Sequence, residues 1–382
     1  MFKRIFLIVL DSVGIGEKED SKLFNDVGVN TFKHAIEKTN NTYPNLKKMG
    51  MFNLIANKNE EANAYHLKLD EISNGKDTLT GHLEMMGIVT ERPFKTFMNG
   101  FPDEIIKKIE EISGRKVIGN CVASGTEIIK ELGDRQMKTG ELIVYTSADS
   151  VLQIAAHEDI IPLEELYRIC SEIREFTKKE EYKIGRIIAR PYVGSNGNFT
   201  RTANRHDYAL NPVHSTALDK LKENGYSVIS IGKIADVFNN CGITKSIKTQ
   251  DNLDGILKII EIEKEEFKGL CFANLNDFDS KYGHRRDPIG YGNALKEFDD
   301  YLDKIIDNLK EDDLLMITAD HGNDPTYIGT DHTREYTPLI IYSKRFKNPK
   351  KLDTIKCFDV IGNTILDNFK LSKENSILDN LK

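Results

Sequence analysis

At 382 residues the chain is long enough for two or three cores, and its composition is that of an ordinary globular protein. With 53 Lys+Arg against 60 Asp+Glu the formal charge is −7, which excludes a broad basic field for nucleic acid or an anionic membrane surface; any anionic ligand must be captured locally. Cys121, Cys170, Cys241, Cys271 and Cys357 are odd in number, scattered and without a CxxC pair, which argues against a disulfide scaffold or thiolate zinc site.

The first element is Ile5 to Leu10, a continuous branched apolar run of the kind expected for a strand covered on both faces. Lys3 and Arg4 precede it as in a signal peptide, but the run is short and Asp11 ends it, so a soluble, cytoplasmic protein is expected. Asp11 stands at the carboxyl end of this strand, as a ligand or as a cap or turn residue. The Ser-Val-Gly-Ile-Gly that follows lacks the third glycine of a dinucleotide fingerprint. In GKDTLTGHLEMMGI, from Gly75 to Ile88, Asp77 separates Lys76 from Thr78, so a Walker A loop is excluded. A hydroxyl beside a lysine and an aspartate fits a nucleophile held near metal, whereas Thr78 or Thr80 as a helix N-cap is the alternative.

Composition shifts from Pro93 to Pro102 and from His206 to Pro212 mark candidate domain crossings. Between them lie a helix pattern over Asp103 to Gly114, the strand-like LIVYTSAD ending at Asp149, an amphipathic stretch from Leu163 to Phe176, and the strand-like KIGRIIARPYVG. Arg201 and Arg205 follow, and with Arg190 just upstream they suit bidentate phosphate contacts, with surface salt bridges as the alternative for each. Beyond them YSVISIGK, LCFANLNDFD and DLLMITAD are apolar runs separated by helical patterns such as Asn293 to Leu309, which indicates an α/β sheet, largely parallel. Ligands of such sheets bind beyond the carboxyl ends of the strands, which makes Asp11, Asp279 and Asp320 neighbours, with His284 at the same edge. The loop from Asp320 to His332, before another strand at Pro338 to Tyr342, adds His321 and His332. Carboxylates and imidazoles without thiolate suit Zn or Mn. The ligand positions leave residues 97–209 as a domain inserted into a core of 1–96 and 210–382, placed to roof the site and exclude water, and the polar end from Leu371 is expected to fray.

The assembled set resembles the two-metal site of the alkaline phosphatase superfamily. Within it the chain resembles the prokaryotic phosphopentomutases from end to end. The stretches that carry the likeness are FLIVLDSVGIG, GKDTLTGHLEMMG, VASGTEII, YTSADSVLQIAAHE, GNFTRTANRHDYAL, DFDSKYGHRRDPIGYG and ITADHGNDPTYIGTDHTREYTPL, in that order. The resemblance implies an alkaline-phosphatase-like, mostly parallel α/β core with an α+β cap. It implies one ion held by Asp11, Asp320 and His321 on the Thr78 side and another by Asp279, His284 and His332, with two Mn²⁺ expected. It implies that Thr78 carries a phosphoryl group between ribose (or 2-deoxyribose) 1-phosphate and 5-phosphate through a bisphosphate, a sugar bisphosphate serving as activator. By position and charge, Asp149, Arg190, Arg201, Arg205 and, from the core, Lys233 are candidates for gripping the pentose phosphate. No obligate protein partner is evident.

Overall fold

The computed structural model describes every residue except Asn57, Ala148, Glu180 and Lys382. Its strands, in chain order, are β1 (Arg4–Leu10), β2 (Tyr65–Asp70), β3 (Val117–Val122), β4 (Leu142–Thr146), β5 (Val151–His157), β6 (Arg186–Ser195), β7 (Asn198–Arg201), β8 (His206–Ala209), β9 (Ser227–Ile231), β10 (Lys245–Ile247), β11 (Gly269–Leu275), β12 (Asp313–Thr318), β13 (Thr337–Tyr342) and β14 (Ile355–Lys356). Two compact units divide them. One comprises Met1–Pro93 and Pro212–Lys382, the other Phe94–Asn211.

The sheet of the first unit runs β10-β9-β11-β1-β12-β13-β2-β14. The five strands β10, β9, β11, β1 and β12 are parallel, while β13 is antiparallel to both of its neighbours. β1 lies among the parallel strands because it has no polar face to give to water: all of Arg4 to Leu10 is buried. Phe6, Ile8 and Leu10 join one hydrophobic cluster with buried residues of the helices Thr31–Glu37, Asn252–Glu263 and Pro288–Asn308. Ile5, Leu7 and Val9, pointing the other way, are as fully buried. Each such side chain contributes roughly 1.5–3 kcal/mol by leaving water. The register then sets the site. Leu10 pairs with Leu275 and Val9 with Thr318, so the chain leaves β1, β11 and β12 at one edge.

At the opposite edge Arg4, fully buried, donates to Asp313 at 2.8 Å and to the carbonyls of Glu263 and Glu265 at 2.7 Å. Burial raises the neighbouring Glu263 carboxyl to about 8, and Asn308 and Arg4 offset this only in part. Because the folded value is raised, the stability tied to the protonated form is fully present below the ordinary value of 4.5 and is lost as pH rises through about 8. Glu263→Gln is therefore expected to stabilise the protein at pH 8 by roughly 2–4 kcal/mol, and by little at pH 4.5, in urea unfolding. An equal gain at both pH values would remove the titration argument.

The second unit has its own mixed sheet, β3-β4-β5-β6-β7 with β8 on β6. The helices Asp103–Ser113 and Leu163–Phe176 bury Ile105, Ile109, Leu166 and Ile169 in one cluster. The helix Gly125–Thr139 buries Ile128 and Ile129 in another, with Tyr145 and Tyr192. No helix among the described residues is long and apolar enough to cross a membrane.

Candidate metal centre

Asp11 follows β1 directly, and Asp320 and His321 follow β12 after one residue. The three offer ligand atoms that lie within 4.8 Å of one another, and all are buried. Ser12, the next residue, takes a left-handed φ of 71°, a strained conformation for a non-glycine residue. Its N–H donates to Asp320 Oδ1 at 3.0 Å, locking the first loop onto the second. Asp279 arrives differently. β11 ends at Leu275, and the chain continues into a π-helical turn from Phe278 to Gly283. The N–H of His284 donates to the Asp279 carbonyl at 3.0 Å, an i→i+5 bond that sets Asp279 and His284 on one side of the turn. Their side chains meet at 3.2 Å, Asp279 Oδ2 to His284 Nε2, and His332 Nε2 is 3.5 Å from Asp279 Oδ1. Asp279, His321 and His332 form a second group of ligand atoms within 4.8 Å, also buried.

These residues fit cations on three counts. Among the described residues Asp11 Oδ1 and Asp320 Oδ2 are buried acceptors without a well-formed hydrogen bond, with the imidazoles of His321 at 3.5 Å from the first and His82 at 3.2 Å from the second. His321 Nδ1 lies 3.0 Å from the Gly322 carbonyl and His284 Nδ1 2.7 Å from the Thr330 carbonyl. That contact fixes the Nδ1–H tautomer and leaves each Nε2 lone pair facing the carboxylates, the arrangement of metal-bound histidine. Electrostatics agree. Burial alone would raise the Asp320 carboxyl, but His321 and His82 outweigh it and hold it below its ordinary range. Burial likewise opposes the ionised Asp279, and His284 and His332 reverse the sign. His321 is driven up despite burial, by Asp320, Asp11 and Asp279. The buried carboxylates thus demand positive charge, which divalent cations supply.

Thr78 opens the helix Thr78–Met85, and its Oγ1 lies 3.2 Å from His321 Nε2. The N-cap is neither Thr78 nor Thr80 but Asp77, whose carboxylate accepts the N–H groups of Leu79 and Thr80 at 3.1 Å. Thr80 is turned away, donating its hydroxyl to Asp77 at 2.6 Å. Gly81 lets this helix approach the metal loop: a Cβ there would stand 2.2 Å from the Asp320 carbonyl oxygen. His82, which the sequence reading passed over, is one helical turn after Thr78. Its Nδ1 lies 2.8 Å from the Thr78 carbonyl and 3.2 Å from Asp320 Oδ2, and Asn274 joins it to Asp11. The i,i+4 spacing from Thr78 was the available signal. Asn323, also missed, donates to Asp279 Oδ1 at 2.8 Å. Lys233 Nζ is 3.3 Å from Asp11 Oδ2, so it stands at the cluster.

The remaining candidates lie in the second unit. Arg190, on β6, donates to Gln153 at 2.8 Å and is lowered by burial. Arg201 is exposed at the end of β7. Arg205 makes a two-pronged pair with Asp207 at 2.6 Å, the salt-bridge alternative named for it above. Asp149 is half-buried in the turn between β4 and β5.

A mostly parallel α/β sheet with buried carboxylates and imidazoles gathered at the carboxyl ends of its parallel strands defines a metal-dependent class of protein. The family model described as the metalloenzyme superfamily matches residues 3–373, and the chain belongs to that superfamily. Among solved structures, the PH0037 protein from Pyrococcus horikoshii is similar at 14% identity over 98% of this chain and 99% of that one, with a TM-score of 0.53; this likeness is one of fold. A Leishmania mexicana phosphoglycerate mutase matches at 12% identity over 96% and 95% of the two chains, with a TM-score of 0.47. A protein of the alkaline phosphatase superfamily from Vibrio parahaemolyticus matches at 13% identity over 96% and 66%, with a TM-score of 0.43.

Proposed function

We propose that this metalloenzyme is a phosphopentomutase, a cytoplasmic isomerase that interconverts the 1- and 5-phosphates of ribose and 2-deoxyribose. The observation that carries the reading is the Thr78 hydroxyl, released from capping by Asp77 and standing 3.2 Å from His321 at the edge of the ligand cluster. In this reading phosphorylated Thr78 gives its phosphoryl group to the free hydroxyl of a pentose monophosphate. The P–O bond to Thr78 breaks, the P–O bond to the sugar forms, and the hydroxyl proton is returned to the threonine oxygen. The bisphosphate turns round and its other phosphate passes back to Thr78. Asp11, Asp320 and His321 would hold one Mn²⁺ and Asp279, His284 and His332 the other. Bound there, the ions would supply neutralisation of the phosphoryl oxygens and of charge developing on the threonine oxygen.

The chain's own groups do the rest. The first position of a helix favours a phosphate on Thr78, because the helix N-terminus is the positive end of its dipole. Asp77 holds that end in place, and His82 ties it to Asp320. Asp149, Arg190, Arg201, Arg205 and Lys233 are the candidates for the sugar and its distal phosphate, and a sugar bisphosphate primes enzyme that has lost its phosphate. The test is conversion of ribose 1-phosphate with Mn²⁺, followed by ³¹P NMR. Appearance of ribose 5-phosphate, accelerated by a trace of bisphosphate, is expected; release of inorganic phosphate alone would make the protein a phosphatase.

A further inference from the structure

The segment His332–Glu335 reaches well beyond its one imidazole. It is extended, and it bridges Gly322 through Thr333 and Glu17 through Glu335. Alternate side chains therefore face opposite ways. Thr333 donates to Glu335 at 2.6 Å, and Glu335 accepts from the N–H groups of Gly16 and Thr31 at 3.0 Å, bracing the loop that follows Asp11. Arg334 faces the other way with His332, toward the loop that leads into Thr78.

The Arg334 side chain is buried, 2% exposed, and its donors divide between that loop and Asp20, to which Nε also donates. Nη1 donates to the Gly75 carbonyl and to the Glu71 carboxylate, and Nη2 to the Glu71 carbonyl and to Asp20, each at 2.9 Å. The backbone N–H of Arg334 donates to Asp26 Oδ2 at 2.8 Å, and the same oxygen accepts Lys76 Nζ at 3.0 Å. From the other side Glu84, on the Thr78 helix, accepts the N–H groups of Ile72 and Ser73. A buried ion pair gives little net stability over an apolar residue of the same size. What a planar guanidinium gives is direction, and two of its contacts here are to main-chain carbonyls within seven residues of Thr78.

We propose that Arg334 is the positioning residue of the phosphoryl carrier: by holding the Glu71–Gly75 loop it sets the Thr78 hydroxyl against the cluster to which His332, two residues earlier, belongs. The inference rests on the reading of Thr78 given above and predicts a slower rate in the folded, metal-loaded protein. The experiment measures single-turnover labelling of Thr78 by a ³²P sugar bisphosphate, bound metal, thermal stability and KM in Arg334→Lys, Arg334→Ala and Lys76→Met. Lys76 is partly exposed, so its replacement cuts the strut to Asp26, and with it the pair to Asp331, without opening the core.

Arg334→Lys is expected to label about 100-fold more slowly, since a displacement of an ångström is enough to cost that much, with metal content and KM unchanged. Arg334→Ala is expected to recover in part with millimolar guanidinium, which a purely structural role would not produce, and Lys76→Met to slow labelling by about 10-fold. Wild-type labelling rates in folded Arg334→Lys, or losses that track metal or folded fraction, overturn the proposal while leaving the carrier role of Thr78 intact. Should the Arg334 variants not fold, a wild-type rate in Lys76→Met overturns it. If wild-type Thr78 takes no label, the phosphotransfer reading falls and this inference with it.

Discussion

Thr78→Ala is expected to lose pentose phosphate interconversion by at least about 10⁴-fold, the scale on which removal of a covalent carrier is felt. Its fold and its metal content should remain. Among the described residues the Thr78 hydroxyl bonds only at the site, to His321, and alanine is at least as good a helix former, so the stability change is expected within about 0.5 kcal/mol. Thr80→Ala separates the two threonines of the motif. Its hydroxyl is buried against Asp77, so its loss costs about 1 kcal/mol of stability while activity stays within a few-fold of wild type. Intact-mass and peptide mass spectrometry after incubation with a sugar bisphosphate should find one added phosphate, on Thr78, in wild type and in Thr80→Ala alike. A phosphate mapped elsewhere, or an active Thr78→Ala, would rule out the phosphothreonine cycle and leave direct transfer or hydrolysis.

What the sequence revealed and what it hid divide along physical lines. The branched, continuous apolar runs RIFLIVL and DLLMIT are parallel strands because only residues without a polar face can be covered on both sides, and that alone aligned Asp11 with Asp320. LCFANLNDFD reads as a strand running to Asp279, but the strand stops at Leu275. The aspartate sits in a π-helical turn whose i→i+5 bond leaves no periodic trace. The cap of the Thr78 helix was misplaced because Asp, Thr and Thr stand within four residues and all cap well; the choice of Asp77 follows from Thr80 turning inward to it. The chain passes between the two units at Pro93 and Pro212, the outer ends of the two proline-bearing stretches. Arg334 was invisible for another reason, and the i,i+4 spacing of His82 from Thr78 did not name its partner. Their roles depend on partners distant in sequence, Gly75 and Asp320, and a buried polar side chain announces itself only once the fold supplies those partners.

Asp279→Asn is expected to bind one metal ion in place of two and to lose turnover by at least about 100-fold, the scale on which removal of one charge-stabilising group is felt, with the ion at Asp11, Asp320 and His321 retained. The substitution keeps the volume and one oxygen able to accept from Asn323, now 2.8 Å away, so collapse of the loop is not the route to the loss. What it removes is a charge that His284 and His332 both face. Stability reports this independently of activity. An ion present at about 1,000 times its dissociation constant stabilises the folded state by about 4 kcal/mol. Wild type should therefore melt higher in Mn²⁺ than after chelation, and the gain should shrink in Asp279→Asn. Because His284 and His332 stabilise the ionised Asp279, the chelated variant should melt below chelated wild type, so the quantity compared is the gain that Mn²⁺ gives each protein. The core of β1, β11 and β12 is built below the site, so chelation should stop turnover while the far-ultraviolet spectrum stays folded. Full turnover after exhaustive chelation with no metal retained would refute the metal-dependent mechanism. Unchanged stoichiometry in Asp279→Asn would instead strike only the division of ligands between the two ions.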